Sequence, residues 1–508
     1  MTNWNPDELL AGIRRCEDDA NWVLPRLVEP IAELSGLPTN EATARRLVGH
    51  WLMHLSHQAH GLSLMDDAAG TGVELPVFSD HHSHHRAFVS DQTYRHGLRS
   101  AMAMLRDGRA PAVKLRGATL DTTRVTVRSA ARRMLIATVS GRSGVLITQP
   151  YVKLPFGPTL RHVARSSKWS RWRDVASSVH HTPDVARRLQ MASRIDVHDD
   201  KSALLALAIM LLPSDVAEGR AGILSDVNEM LGTAPAAVYS ANGLQFVSAF
   251  QVLAAACVDT KTPVAIHQHG GHFGLDEVHA GENTEVAAAD RFYTYGWSDS
   301  RPNVAPLPTA MPATAASSDR RRLLIMSLEA SDVVYRLQPF CLPEHAQACL
   351  ATTRTFLAEL GDGAGFSPVL RSGSREHALI GASVTRDDPS VTGTVSASAS
   401  GLVVHNYFGT SWLETLAMNV PTLCVVPPNV HRFREAARPL VDALRRHGII
   451  HDDPREAARF VRGLAGDARA WWSQADLQAD RQRFVATYAN FSDDWLERWR
   501  DELTRLSL

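Results

Sequence analysis

Cysteine is scarce in this sequence, five residues in 508, and Cys16, Cys257, Cys341, Cys349 and Cys424 share no CxxC or metal-ligand spacing. That pattern excludes a disulfide framework and a structural zinc cluster, and it suits a reducing compartment. Long apolar runs are missing too: the longest, Leu204 to Pro213, is about half the roughly 20 residues that a bilayer span needs. The opening stretch, MTNWNPDELLAGIRRCEDD, is acidic and amphipathic where a secretory signal would be basic and then apolar. Neither sign of charge is in excess. A formal net charge of -1 and a pI near 7.1 give no global attraction to nucleic acid or to an anionic membrane, although local patches can still act. No GxGxxG follows a first strand, which disfavours a dinucleotide enzyme, no DxD run follows an apolar strand, and no repeat of solenoid period is visible. These absences predict a soluble, cytoplasmic protein with no nucleic-acid partner and no bound cofactor.

What is present points to two α/β units, since 508 residues exceed what one core serves. The most informative stretch is GLVVHNYFGTSWLETLAMNVPTLC, residues 401–424. An apolar run reaches a polar corner at His405-Asn406, Thr410-Ser411 open a helically spaced segment, and Pro421 stops it before the next buried strand. The hydroxyl pair therefore lies at a helix N-terminus, where free N–H groups and the helix dipole favour an anion. Glu414 lies one turn on, in reach of ribose hydroxyls. The plainer reading is a capping box, with Thr410 or Ser411 as cap and Glu414 as its reciprocal partner.

The rest of the chain supplies a second such corner. Residues 7–60 read as a helical cap. The tract SDHHSHHRAF, with His81, His82, His84 and His85, reads as a loop entering a helix near Tyr94, either a metal site or a polar loop by a cleft. Val125–Val127, Met134–Val139 and Val145–Gln149 read as strands. Between 161 and 173, arginines and Lys168 interleave with Trp169 and Trp172, a composition that can rest on lipid headgroups or hold an anionic acceptor, but is more often a solvated helix face. Phe246–Cys257 reads as a helix and Pro263–His267 as a strand, leading into Gln268-His269-Gly270-Gly271-His272-Phe273-Gly274. A parallel sheet presents its ligand-binding side chains at such a carboxyl edge. Glu282 and Glu285 follow, then a strand around 290–297. Residues 301–322, rich in Pro, Ala and Ser, read as a linker, after which strands at Leu323–Met326 and Ser367–Arg371 flank a helix at Ala346–Leu360. Arg371, at a strand end, suits a phosphate or carboxylate, or else a surface ion pair.

QHGGHFG at 268–274, DRFYTYGW at 290–297 and NYFGTSWLETLAMNVPTL at 406–423 together resemble a family of bacterial surface-carbohydrate transferases of O-antigen and nonulosonic-acid loci, distantly similar to the capsule Kdo transferases. The resemblance covers most of the chain. It implies a GT-B architecture, two Rossmann-like domains facing across a cleft: residues 1–312 as the acceptor-side domain with its helical cap, and 313–508 as the nucleotide-sugar-binding domain, whose last helices, about 485–508, cross back. The implied activity is metal-independent transfer of a sugar, such as a CMP-activated nonulosonic or Kdo-like acid, to a glycan or lipid-linked acceptor, with peripheral contact at the inner face of the cell membrane. His269 is then the expected acid or acceptor-orienting group, with Glu282 and Glu285 as candidate bases. Gln268, Gly270, Gly271, Arg371, His405, Thr410, Ser411 and Glu414 are the expected donor site. The family's arginine is followed by an apolar, aromatic and proline segment, whereas Arg371 here precedes Ser372-Gly373-Ser374. A nucleotide-sugar epimerase or hydrolase, or a non-catalytic glycan-binding scaffold, fits the same pattern.

Overall fold

The computed structural model describes residues 6–61, 73–108, 113–118, 127–152, 154–177, 181–316, 318–328, 342–381, 384–428 and 430–507. Among them two parallel six-stranded sheets form. The first uses β1 (Val145–Ile147), β2 (Ser170–Trp172), β3 (Val238–Ser240), β4 (Val264–His267), β5 (Arg291–Thr294) and β6 (Val304–Pro306), in the order β2-β1-β3-β4-β5-β6. The second uses β7 (Asp319–Met326), β8 (Ser367–Arg371), β9 (Thr385–Arg386), β10 (Ser400–His405), β11 (Thr422–Val425) and β12 (Ile450–His451), in the order β9-β8-β7-β10-β11-β12. Both orders reverse direction once, as in Rossmann-like domains, and such a reversal opens a crevice at the strands' carboxyl ends. Every residue of β4 and of β11 is buried, because helices cover both faces of a parallel sheet. The expected GT-B class is therefore the fold found.

The two lobes are joined by more than a linker. Helix α1 (Ala280–Ala288) follows the glycine-rich turn of the first lobe, and α2 (Thr410–Ala417) follows β10 in the second. Helix α3 (Trp495–Leu506) lies at the chain's end but packs on the first sheet: Trp499 is fully buried, its ring 4.4 Å from that of Tyr239, and its indole N–H donates to Pro308 O at 2.7 Å. Just before it, Phe491–Ser492 pairs in parallel with Thr309–Ala310. At the other end, the helix Glu41–Ser56 anchors the helical region through Arg46, which donates to Ala254 O and Ala288 O at 2.9 and 3.0 Å.

Three expectations fail locally. Met134–Val139 belongs to a helix, Val127–Val139, because Ala130, Ala131, Arg132, Arg133, Met134 and Leu135 are strong helix formers that outweigh the β-branched residues behind them; Val125 lies outside the described residues. The histidine tract is the helix His81–Ser90 and not a loop, since Asp80 caps it by accepting from the Ser83 amide at 2.7 Å. Much of the supposed linker is sheet: β6 ends on Pro306, tolerated because β6 is an edge strand that needs no further donor. Cys16, Cys257, Cys349 and Cys424 are buried thiols outside any disulfide.

Burial of histidine has a stability consequence. Burial pushes His81, His267 and His405 down to about 3, and pushes Asp215 up to about 7 with the nearby Asp80 charge adding to it. Below about pH 6.5 the unfolded chain binds protons that these three folded imidazoles refuse, so stability falls as pH drops from 6.5 towards 3. Asp215 works oppositely, its folded form taking a proton between pH 7 and 4. By pH 5 each histidine costs about 2 kcal/mol and Asp215 returns about as much as one of them. Urea titrations at pH 7.5 and pH 5 should therefore show a clearly lower midpoint at pH 5; equal midpoints would count against the buried, neutral imidazoles.

Candidate active site between the lobes

The corner after β10 does not form the capping box. Gly409 is the N-cap of α2 and supplies no side chain, Thr410 and Ser411 are the first helical residues, and their amides have no acceptor among the described residues. Ser411 Oγ lies 3.1 Å from Tyr407 Oη. Glu414 is buried one turn on. Two free amides and two hydroxyls thus stand at the positive end of a helix, a ready anion site.

The corner after β4 meets it. A Cβ at Gly271 would lie 2.5 Å from the Gly409 carbonyl carbon and 2.6 Å from the Thr410 nitrogen, so only glycine permits this approach of the lobes. His269 and the Thr410–Ser411 corner therefore lie on loops that touch. Gln268 braces its turn: its Oε1 accepts from the Tyr295 amide at 2.9 Å and from Trp297 Nε1 at 2.8 Å, and its Nε2 donates to Gly270 O at 2.8 Å. Those bonds leave Gln268 and Gly270 shaping the loop on which His269 stands.

His269 is paired. Its Nε2 lies 3.0 Å from Glu285 Oε1, which also accepts from Gln245 Nε2 at 2.7 Å, and Glu285 is buried in α1. Gln245 Nε2 also lies 3.0 Å from His269 Nε2, so an amide and a carboxylate oxygen both face that ring nitrogen. The other acid on α1 differs. Glu282, fully buried, is held by Arg301 at 2.6 Å, by Arg434 of the second lobe at 2.9 Å, and by the Gly274 amide at 2.7 Å. The expected base role does not fit a carboxylate so fully engaged, and Glu282 is a clamp between the lobes.

Two expected donor ligands are also engaged elsewhere. Arg371 donates to Asp387 Oδ2 at 2.6 Å and to Val391 O at 2.9 Å, so the ion-pair reading holds, and it is internal because Asp387 is buried. His405 is fully buried, its Nε2 lies 3.2 Å from Thr415 Oγ1, and as a neutral ring it brings no charge to a phosphate. The arginine–tryptophan run divides: Arg161 and Arg165 are exposed on the helix Phe156–Ser166, whereas Trp172 in β2 is core and Arg171 donates to Leu231 O and Thr233 O. Among the described residues the histidine tract gathers no metal-ligand set; His84 pairs with Tyr94 and His81 with Gln251.

The sequence reading missed Gln245, Tyr151, Tyr295 and Arg434. Tyr151, its ring 6.0 Å from that of His269, has φ of 53° and Gln149 has φ of 47°, left-handed values that are costly for such residues and gather at functional sites. Burial, the Tyr151 phenol and the Glu414 charge all push the Tyr295 phenol well above its ordinary range. Tyr295 lies within the DRFYTYGW motif without standing out from its neighbours, and Tyr151 carries no motif and is marked by its positive φ.

A family model of transferases, the LIC12162 family, matches residues 124–503. The chain belongs to the LIC12162 family of transferases. No curated protein matches it. Among solved structures, MurG of Acinetobacter baumannii is 12% identical, with 72% of this chain and 99% of that one covered at a TM-score of 0.40. The glycosyltransferase SnogD of Streptomyces nogalater is 15% identical over 73% of this chain and 100% of that one, at 0.37. A mutant O-GlcNAc transferase of Thermobaculum terrenum is 13% identical over 100% of this chain and 98% of that one, at 0.35. The strand order of the two sheets, and not these likenesses, carries the fold of this transferase. None of its described helices is long and apolar enough to cross a membrane.

Proposed function

We propose that this transferase moves a sugar from a nucleotide-sugar donor to a glycan or lipid-linked acceptor, and that the meeting of Gly271 with the Gly409–Thr410 peptide carries the reading, because it brings the loop that bears His269 against the helix N-terminus of Thr410 and Ser411. In the transfer the bond from the anomeric carbon to the donor phosphate breaks, the acceptor oxygen bonds to that carbon, and the nucleotide leaves. The departing phosphate gains charge, and the Thr410 and Ser411 amides and hydroxyls are preorganised to receive it. The helix end supplies the field that a metal would otherwise give. Glu414 holds the ribose hydroxyls. His269 takes the acceptor hydroxyl proton on Nδ1 while Glu285 fixes its tautomer and stabilises the cation that forms. The donor we favour is a CMP-activated nonulosonic or Kdo-like acid, on the motif resemblance. Peripheral membrane contact finds its support on the helix Val127–Val139, where Met134 and Leu135 are exposed beside Arg132 and Arg133.

Nucleotides separate the alternatives. One of CMP, UDP, GDP and dTDP should raise the melting midpoint, since a ligand of the folded state stabilises by mass action. Ser411→Ala should then weaken that nucleotide about tenfold and Glu414→Gln by a similar factor, each loss being worth about one charge-assisted hydrogen bond. Failure of all four to bind would leave a scaffold, and full-rate nucleotide release without acceptor would indicate a hydrolase.

A further inference from the structure

Beside the Gly271 contact lies a cluster that the transfer chemistry does not use. His272, Asp276 and His431 place one imidazole nitrogen, one carboxylate oxygen and a second imidazole nitrogen within 4.8 Å of one another. His272 and Asp276 stand four apart in the turn leaving β4, and His431 comes from the second lobe. Backbone pairing fixes their register: Asp276 bridges Phe433 in antiparallel fashion, the Glu277 amide donates to Arg432 O at 2.8 Å, and the Arg434 amide donates to Leu275 O at 2.9 Å. The rings of His272 and His431 are nearly parallel, 7° between planes and 5.8 Å between centroids. Phe408 closes one side, its ring 4.8 Å from that of His431.

We infer that these three side chains bind one divalent transition-metal ion of the Zn2+ class, which rivets the two lobes beside the cleft. Two imidazoles and one carboxylate form a donor set that suits Zn2+, Co2+ or Fe2+ and is too rich in nitrogen for Mg2+ or Ca2+. The carboxylate is the second observation. Asp276 is 2% exposed, and its Oδ2, 3.2 Å from His272 Nδ1, makes no hydrogen bond among the described residues. A buried carboxylate is costly unless a cation or donors meet it. Two ligands of one Zn2+ lie at most about 4 Å apart, so side-chain rotation of about 1 Å closes the set without moving the backbone. The remaining coordination positions belong to water, as in other three-ligand sites.

The full-length protein, stripped with a chelator and dialysed, is titrated with Zn2+ by calorimetry and with Co2+ by its visible absorption. One tight equivalent is expected, with cobalt bands of nitrogen–oxygen coordination, and Zn2+ should raise the melting midpoint. His272→Gln and Asp276→Asn should each weaken this equivalent by at least about tenfold and remove the Zn2+ shift in melting. A His82→Gln/His85→Gln variant, which alters the histidine tract, should keep both. Circular-dichroism melts of the apo variants separate lost folding from lost binding. His272 is partly exposed, so its variant decides the matter if Asp276→Asn fails to fold. No binding at micromolar Zn2+, or equal binding by wild type and His272→Gln, overturns the inference. No nucleotide or acceptor enters these measurements, so their outcome is independent of the sugar-transfer reading.

Discussion

Replacing Glu282 with glutamine is expected to destabilise the protein by about 3 kcal/mol, the cost of breaking a buried ion pair and leaving its partners uncompensated. The carboxylate is fully buried and meets two guanidiniums and an amide, while Arg301 and Arg434 stay only about a quarter exposed. Glutamine keeps one acceptor oxygen and no charge. Because Arg434 comes from the second lobe and Arg301 from the first, the loss has a direction. Glu282→Gln and Arg434→Met should both speed proteolysis in the connection around residues 311–316 and widen the molecule in small-angle scattering. Arg301→Met should lower the melting midpoint with less widening. An unchanged midpoint in Glu282→Gln, with turnover abolished and nucleotide affinity intact, would instead restore Glu282 as a base.

Removing the imidazole should have the largest effect on activity. His269→Ala is expected to lower kcat by about a hundredfold to ten-thousandfold, the usual contribution of a positioned acid or base, with the nucleotide Kd within about twofold of wild type. Glu285→Gln should do less, about tenfold to a hundredfold, because an amide still orients the ring but no longer stabilises the imidazolium. The split between turnover and affinity separates this role from simple packing: kcat should fall while the nucleotide Kd stays. Equal kcat in wild type and His269→Ala, measured on a transferred sugar, would remove the imidazole from the chemistry.

Much of the first-lobe corner was legible because its signals are local. An apolar run, Val264-Ala265-Ile266, followed by His-Gln-His-Gly-Gly reads as a strand end and a tight turn, and Gly271 proved to be the point where no side chain fits. The Thr410–Ser411 helix start was legible for the same reason. What misled was side-chain commitment. Arg371 and His405 stand at strand ends in sequence, where ligands are usually met, but Asp387 takes the first and core packing takes the second. The linker was read too long because proline content was weighed and edge position could not be: Pro306 needs no ladder donor where it sits.

The sequence by itself determined two runs of strand and helix and the two polar corners they deliver, since hydrophobic period and turn chemistry act between neighbours. It could not decide which of two glutamates three residues apart on α1 is available to a substrate. Glu282 and Glu285 are chemically alike, and they differ only because Arg434, 152 positions away, folds onto the first while Gln245 and His269 face the second. Charge pairing and burial depend on which distant side chains arrive, and that was decided only when the lobes closed on each other.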